Sequence, residues 1–169
     1  MVILGCIRGN IRSPEDEPRV LEQLASAMRE LEQYADDREV AMVFEPINRY
    51  ENNFLCSVAD TAAFIRGAGL RRTKILMDTF HMNIEDPSLT GAIEQYGSDV
   101  AYVHIADSNR KYPGCGHTDF ASILDAFAKQ QYSGAFCAEC HANGNLDAGC
   151  AAWLVQMEAL LKSSYDKRR

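Results

Sequence analysis

The strongest constraint on the fold is the alternation of short apolar runs with helical segments. Five apolar runs have the length of buried strands and end at polar or turn-forming residues: Val2–Ile7, Val40–Phe44, Lys74–Met77, Val100–Ile105 and Ala135–Ala138. A strand followed by a helix, repeated five times, predicts a parallel sheet joined by helical crossovers. We therefore expect an α/β protein.

The intervening helices are predicted from apolar positions spaced three and four residues apart. The first has a start signal at Ser13–Asp16 and an apolar stripe that reaches Tyr34. Ser57 is a candidate N-cap for the second helix. Three further helical segments follow: Ser88–Tyr96, Phe120–Phe127 and Ala148–Tyr165.

The first apolar run distinguishes between two parallel architectures. The turn after it, Gly5–Gly9, is not the glycine-rich signature of a dinucleotide-binding sheet, and the chain has no P-loop. A (β/α)8 barrel uses about 31 residues per unit, so 169 residues accommodate about five units. Since no linker-like segment interrupts the chain, we expect a single domain over residues 1–169 that forms a partial TIM barrel.

Composition argues against several functional classes. Acidic residues outnumber basic residues 24 to 17, for a net charge of -7, so nucleic acid and anionic membranes are poor partners. No apolar stretch approaches the roughly 18–20 residues of a membrane span, and the N-terminus lacks signal-peptide features, which predicts a cytoplasmic protein with reduced thiols. Cys137 and Cys140 form a CxxC without a second pair or a following helix start, which favours coincidence over a metal or redox motif.

Chemistry-bearing residues stand where four consecutive apolar runs end: Glu45, Asp78, His104 and Glu139. In a parallel barrel, all strand C-termini lie on the face that carries active sites. Three carboxylates and one imidazole suit Mn²⁺, Mg²⁺ or Co²⁺, and also Zn²⁺. Taken singly, each acid could be a helix cap or salt-bridge partner and the histidine a packing residue. Their repetition at successive strands favours a metal site.

Three motifs in these regions carry a family resemblance: Glu45–Glu51 (EPINRYE), Met77–Glu85 (MDTFHMNIE) and His104–Arg110 (HIADSNR). They resemble motifs of ketose 3-epimerases of the tagatose/psicose type, in the xylose-isomerase-like superfamily of TIM barrels. The loop Pro113–Phe120 is similar to the Pro-Gly-x-Gly loop of the same family. The resemblance runs from about Ile3 to Glu139, which is most of the chain.

The resemblance implies a role for each matching residue. It makes the four strand-end residues the metal ligands, with Mn²⁺ the expected ion, and Glu45 and Glu139 also the catalytic acid/base pair. It assigns substrate contacts to Glu51, His81 and Arg110, and His117 is a further candidate contact in the Pro-Gly loop. The implied reaction removes and returns a proton on a ketose through a metal-stabilised enediolate.

The resemblance also implies that part of the barrel is missing. The chain corresponds to strands 4–8 of the family barrel, without the first three β/α units. Open sheet edges favour association, so we expect either a homo-oligomer or a fragment of a longer protein. The alternatives are a catalytically inactive partial barrel that binds or assembles, an aldose–ketose isomerase of the hydroxypyruvate isomerase type, and a metal nuclease of the endonuclease IV type, which the acidic charge disfavours. The absence of a phosphate cradle favours a free sugar as substrate.

Overall fold

The computed structural model describes residues 1–141 and 144–165, and five strands in them form one parallel sheet. The strands are β1 (Val2–Leu4), β2 (Met42–Phe44), β3 (Lys74–Asp78), β4 (Val100–Ile105) and β5 (Ala135–Ala138). Their spatial order is their order in the chain, and every neighbouring pair is parallel. The prediction of a partial TIM barrel of about five units is thereby confirmed.

Helices connect the strands and supply most of the core. They are α1 (Glu17–Asp36), α2 (Val58–Gly67), α3 (Thr79–Glu85), α4 (Leu89–Tyr96), α5 (Phe120–Lys129) and α6 (Leu146–Tyr165). Alternate strand residues such as Phe44 and Met77 join buried helix residues such as Met28, Ile93 and Phe127 in one apolar cluster. Among the described helices, none has both the length and the apolar character needed to cross a bilayer.

The start of α1 differs from the prediction. The α-helix begins at Glu17, whereas Pro14–Asp16 forms a 3-10 turn and Ser13 makes no side-chain capping bond. Pro18 explains the difference, because its ring would clash with the carbonyl of residue 14 if the α-helix began four residues earlier. The proline therefore lies in the first turn of α1, where it is tolerated.

Two further differences occur at strand ends. β1 stops at Leu4, and the rest of the predicted run forms a 3-10 turn at Cys6–Arg8. The segment after Asp78, for which no helix was predicted, is helix α3. Asp78 starts this helix, because its side chain accepts a hydrogen bond from the Phe80 amide at 2.8 Å.

The predicted cap at Ser57 is present, with its hydroxyl accepting from the Asp60 amide at 3.1 Å.

Asp86, which follows α3, is partly buried, and few contacts compensate the charge of its carboxylate. Its Oδ1 atom accepts a hydrogen bond from the Val58 amide at 3.2 Å, and its buried Oδ2 atom has no hydrogen-bond partner among the described residues. Burial raises the pKa of Asp86 to about 6, and the charges of Glu85 and Asp60 add to the rise. Ionisation of Asp86 therefore weakens the folded state.

We expect Asp86→Asn to stabilise the fold by about 1 kcal/mol near neutral pH, because asparagine keeps an oxygen acceptor for Val58 without the charge. Since the folded pKa of Asp86, about 6, lies above the unfolded value, the penalty is absent below about pH 4 and complete above about pH 6. Thermal unfolding near pH 4 and near pH 7.5 measures the effect. A gain of equal size at both pH values, or a similar gain in the exposed-site control Asp37→Asn, contradicts this assignment.

Candidate metal centre

The sheet register brings the four strand-end residues to one edge. Asp78 and His104 are direct partners in the β3–β4 ladder. The Glu45 amide donates to the Leu4 carbonyl at 2.9 Å, and the Glu139 amide donates to the Ile105 carbonyl at 3.2 Å. Both glutamates thus continue the pairing of the sheet one residue past β2 and β5. The side chains converge because they leave adjacent strands at the same height.

His104 is at the centre of the group. Its Nδ1 atom lies 3.1 Å from Glu45 Oε1, 2.9 Å from Glu139 Oε2 and 3.8 Å from Asp78 Oδ2. One candidate ligand atom from each of the four residues lies within 4.8 Å of the others. Three of the residues are buried, whereas the Glu139 side chain is 46% exposed. The group is therefore open to solvent on the β5 side.

The electrostatics of the group favour a cation at its centre. Burial raises the pKa of Asp78, but the nearby His104 imidazole and the charge of Arg110 outweigh burial and hold that pKa well below the usual range. Burial lowers the pKa of His104, but contacts with three carboxylates raise it to about 12. A proton on the imidazole thus supplies positive charge where the carboxylates converge.

Arg110 supplies a second positive charge. Its Nη1 atom donates to Asp78 Oδ2 at 2.6 Å, and its Nη2 atom donates to Glu139 Oε2. The guanidinium lies over the Phe80 ring, 4.8 Å from the ring centroid. Burial lowers the pKa of Arg110, but Asp78 and Glu139 raise it further, so the side chain is a fixed cation beside the group. The structure therefore brings this predicted substrate contact to the candidate centre.

The buried carboxylate of Asp107 organises the loop that carries Arg110. It accepts hydrogen bonds from four backbone amides, at 2.7–3.1 Å: Ser108, Gly114, Gly116 and Thr118. A Cβ atom at position 116 would lie 2.3 Å from Asp107 Oδ1, so only glycine fits there. The Pro-Gly-x-Gly segment thus wraps around Asp107, and Arg110 adopts a positive φ of 61° within the same loop.

The other predicted contacts lie at different distances from the group. His81 is buried, with Nε2 3.8 Å from Asp78 Oδ2. Glu51 is exposed and is linked to His81 through Asn48, whose Nδ2 atom lies 3.0 Å from Glu51 Oε1. His117 is exposed, bonds to Ser108 Oγ at 3.0 Å, and is not among the four converging residues.

Arg8 contacts the site and was not identified from the sequence. Its Nη1 atom donates to the Glu45 carbonyl at 3.0 Å and to the Gly5 carbonyl at 2.9 Å. Its guanidinium also lies 5.2 Å from the centroid of the Phe44 ring. Arg8 thereby links the turn after β1 to Glu45, the first of the four candidate ligands. A single arginine after a short strand gives no periodic or motif signal that could have indicated this role.

The donor set fits a divalent metal ion of intermediate hardness. Carboxylate oxygens with one imidazole nitrogen match the ligand preferences of Mn²⁺, Mg²⁺ and Co²⁺, and Zn²⁺ accepts the same donors. The three carboxylates, two of which are buried, also need compensating positive charge, which here comes from His104 and Arg110. The six cysteines are free thiols, and none belongs to the group of four.

A parallel sheet of β/α units that gathers three carboxylates and an imidazole beyond its strand C-termini defines a TIM-barrel-type protein with a candidate metal centre. The chain belongs to the xylose isomerase-like TIM barrel family, whose profile matches residues 2–160. The resemblance drawn from the strand-end motifs is therefore confirmed at the level of the family.

The chain is similar to sugar epimerases in sequence and in structure. It is 32% identical over 132 residues to L-ribulose 3-epimerase of Methylomonas sp. (strain DH-1), covering 78% of this chain and 46% of that protein. It is 32% identical over 125 residues to 3-dehydro-D-guloside 4-epimerase of Escherichia coli (strain K12), covering 72% of this chain and 48% of that protein. A solved structure of L-ribulose 3-epimerase superposes with a TM-score of 0.83 at 28% identity, covering 88% of this chain and 56% of that one. The chain thus spans about half the length of these relatives.

Proposed function

We propose that this chain carries the metal-binding and proton-transfer apparatus of a ketose epimerase or isomerase. The observation that supports the proposal most is the convergence of candidate ligand atoms from Glu45, Asp78, His104 and Glu139 within 4.8 Å of one another. The named activities of the relatives are epimerisations of sugars, which such a site can support.

The proposed ligands are the four converging residues, and Mn²⁺ is the proposed ion. When bound, such an ion would act as a Lewis acid toward the ketose carbonyl, which would make the hydrogen on the neighbouring hydroxyl-bearing carbon more acidic. Without this help, a carboxylate is too weak a base to remove that hydrogen at neutral pH.

The two glutamates divide the proton transfer in the proposed reaction. Glu45 and Glu139 follow β2 and β5, on opposite sides of Asp78 and His104 in the sheet order. One carboxylate removes the proton at the reacting carbon, leaving an enediolate, and the other returns a proton to the opposite face, so the centre is inverted. An aldose–ketose isomerase would instead remove a proton from C1 of the ketose and return one to C2, through a 1,2-enediolate.

Arg110, His81 and Glu51 are the proposed substrate contacts. The Arg110 guanidinium sits at the open side of the group and can donate to a sugar oxygen or to the oxyanion that forms. The clustering of acidic side chains at the site disfavours a phosphorylated sugar, so a free ketose is the proposed substrate.

A second candidate is a partial barrel that binds or assembles without catalysis. The supporting observation is the open sheet: on the edge strand β1, Val2 is 50% exposed and Ile3 is 41% exposed. An edge with unpaired backbone groups promotes association with another chain. We propose that the isolated chain forms homo-oligomers through these edges, which sedimentation velocity over a range of concentrations can test. A monomer at every concentration would contradict that assembly.

Two measurements on the metal-stripped chain test the function. Calorimetric titration with Mn²⁺ should show binding near one ion per chain. Incubation of the Mn²⁺-loaded chain with a panel of free ketoses in D₂O should then introduce deuterium next to the carbonyl, with an epimer or an aldose as product. Binding of Mn²⁺ without deuterium incorporation supports the inactive partial barrel. Absence of specific Mn²⁺ binding contradicts the metal site itself.

A further inference from the structure

Asn48 is a buried polar residue that joins two of the proposed substrate contacts. It is 1% exposed and lies in the segment after β2. Its Nδ2 atom is 2.7 Å from His81 Nδ1 and 3.0 Å from Glu51 Oε1. Its backbone amide also donates to His81 Nδ1, at 3.3 Å.

The surroundings of Asn48 determine which way its amide points. The Asn48 Oδ1 atom accepts a hydrogen bond from the Tyr50 backbone amide at 2.9 Å. Because a backbone amide can only donate, the oxygen of Asn48 must be on that side. The NH₂ group therefore faces His81 and Glu51, and it donates to both.

This orientation fixes the tautomer of His81. Its Nδ1 atom receives the Asn48 side-chain and backbone N–H groups, so Nδ1 must present its lone pair. The ring proton then resides on Nε2, which faces the candidate metal centre. Asp78 Oδ2 is 3.8 Å from Nε2, which is beyond hydrogen-bond distance, so Asp78 does not take up this donor.

Glu51 is the complementary acceptor. Its Oε1 atom accepts the hydrogen bond from Asn48, and this partly buried contact orients an otherwise exposed side chain. His81 thus offers one N–H donor and Glu51 offers carboxylate acceptors, both positioned by the same amide. Hydroxyl groups can accept from His81 and donate to Glu51, whereas a dianionic phosphate would be repelled by Glu51.

We propose that Asn48 is a positioning residue that holds His81 as an Nε2–H donor and directs Glu51 as an acceptor, so that the pair recognises hydroxyl groups of an uncharged polyol. The recognition part of this inference rests on the proposed function. The positioning part rests only on the contacts of Asn48.

The test reads the His81 tautomer directly in the metal-free chain. Long-range ¹H–¹⁵N correlation spectra of the ¹⁵N-labelled chain distinguish Nε2–H from Nδ1–H rings, and His81→Gln identifies the signals of His81. We expect the Nε2–H pattern in the wild-type chain. In Asn48→Asp, a carboxylate acceptor replaces the nearer of the two donors at His81 Nδ1, the one at 2.7 Å, and leaves only the backbone amide at 3.3 Å. A charged acceptor at the shorter distance should outweigh that amide, so Nδ1 should gain a proton and the pattern should change. A purely structural role for Asn48 predicts no change of tautomer.

Asn53→Asp is the matched control, because Asn53 lies on the same segment but donates from Nδ2 to the Ile11 carbonyl at 2.7 Å. It should leave the His81 pattern unchanged. An Nδ1–H ring in the wild-type chain, or an unaltered pattern in a folded Asn48→Asp chain, overturns the proposal, and the wild-type spectrum decides it even if that variant fails to fold. The expected tautomers together with a chain that exchanges no ketose proton would support the positioning role and contradict only the proposed function.

Discussion

Replacement of Asp78 by asparagine is expected to weaken Mn²⁺ binding by at least about 100-fold. Asp78 is fully buried, and its Oδ2 atom is the one that approaches His104 and Arg110. Asparagine removes the negative charge from the centre of the group and replaces one oxygen with an NH₂ group, which cannot bind a cation. It can still cap α3 through its remaining oxygen, because asparagine is as good an N-cap as aspartate.

Calorimetric titration of the metal-stripped variant measures this effect, and circular dichroism reports whether the fold is retained. Asp99→Asn is the matched control, because Asp99 is half-exposed before the start of β4 and pairs with Lys74 there. The control should bind Mn²⁺ like the wild-type chain. An isotherm for folded Asp78→Asn that overlays the wild-type isotherm would rule out the four-ligand site.

Replacement of Glu139 by glutamine is expected to lower ketose proton exchange by about 10²- to 10⁴-fold, the usual contribution of a general acid or base. Glutamine has the same shape but cannot accept a proton at neutral pH. The Glu139 side chain is 46% exposed beyond an edge strand, so the substitution should have little effect on folding. Loss of its charge should also reduce metal affinity, because Glu139 is a proposed ligand.

Deuterium incorporation into the ketose, measured with Mn²⁺ at saturation for each variant, separates the proton-transfer role from the ligand role. Glu94→Gln, on α4 and paired at the surface with Lys129, provides the control and should exchange at the wild-type rate. Exchange at the wild-type rate in saturated Glu139→Gln would exclude Glu139 as the acid or base. The outcome would then place proton transfer on Glu45 or on solvent.

The amino-acid order alone was sufficient to predict the sheet and the residues beyond it. Strand-length apolar runs recur at about the spacing of β/α units, and all five coincide with observed parallel strands. Because the carboxyl ends of parallel strands share one edge, a polar residue directly after each run has a predictable location. This periodicity explains why four side chains converge beyond the sheet, those of Glu45, Asp78, His104 and Glu139. Their use in metal binding remains a prediction.

Local signals were less reliable where two of them compete. The residues after Asp78 include polar side chains and carry no long apolar stripe, which is why helix α3 was not predicted. The same carboxylate that belongs to the candidate centre also caps that helix. At α1, the capping signal at Ser13 was outweighed by Pro18. Because proline is tolerated only in the first turn of an α-helix, the helix cannot begin more than one turn before Pro18.

Local sequence and tertiary structure therefore determine different parts of this protein. Fold class, strand order and the identity of the strand-end group depend on hydrophobic periodicity and chain direction, which are readable along the chain. The contacts of Arg8 with the Glu45 carbonyl, of Asp107 with four loop amides and of Asn48 with His81 join groups whose partners no local pattern identifies. A hydrogen bond requires the donor–acceptor distance to be correct to within a few tenths of an ångström and the donor to point at the acceptor. Both conditions are met only when the packed elements fix each side chain in space.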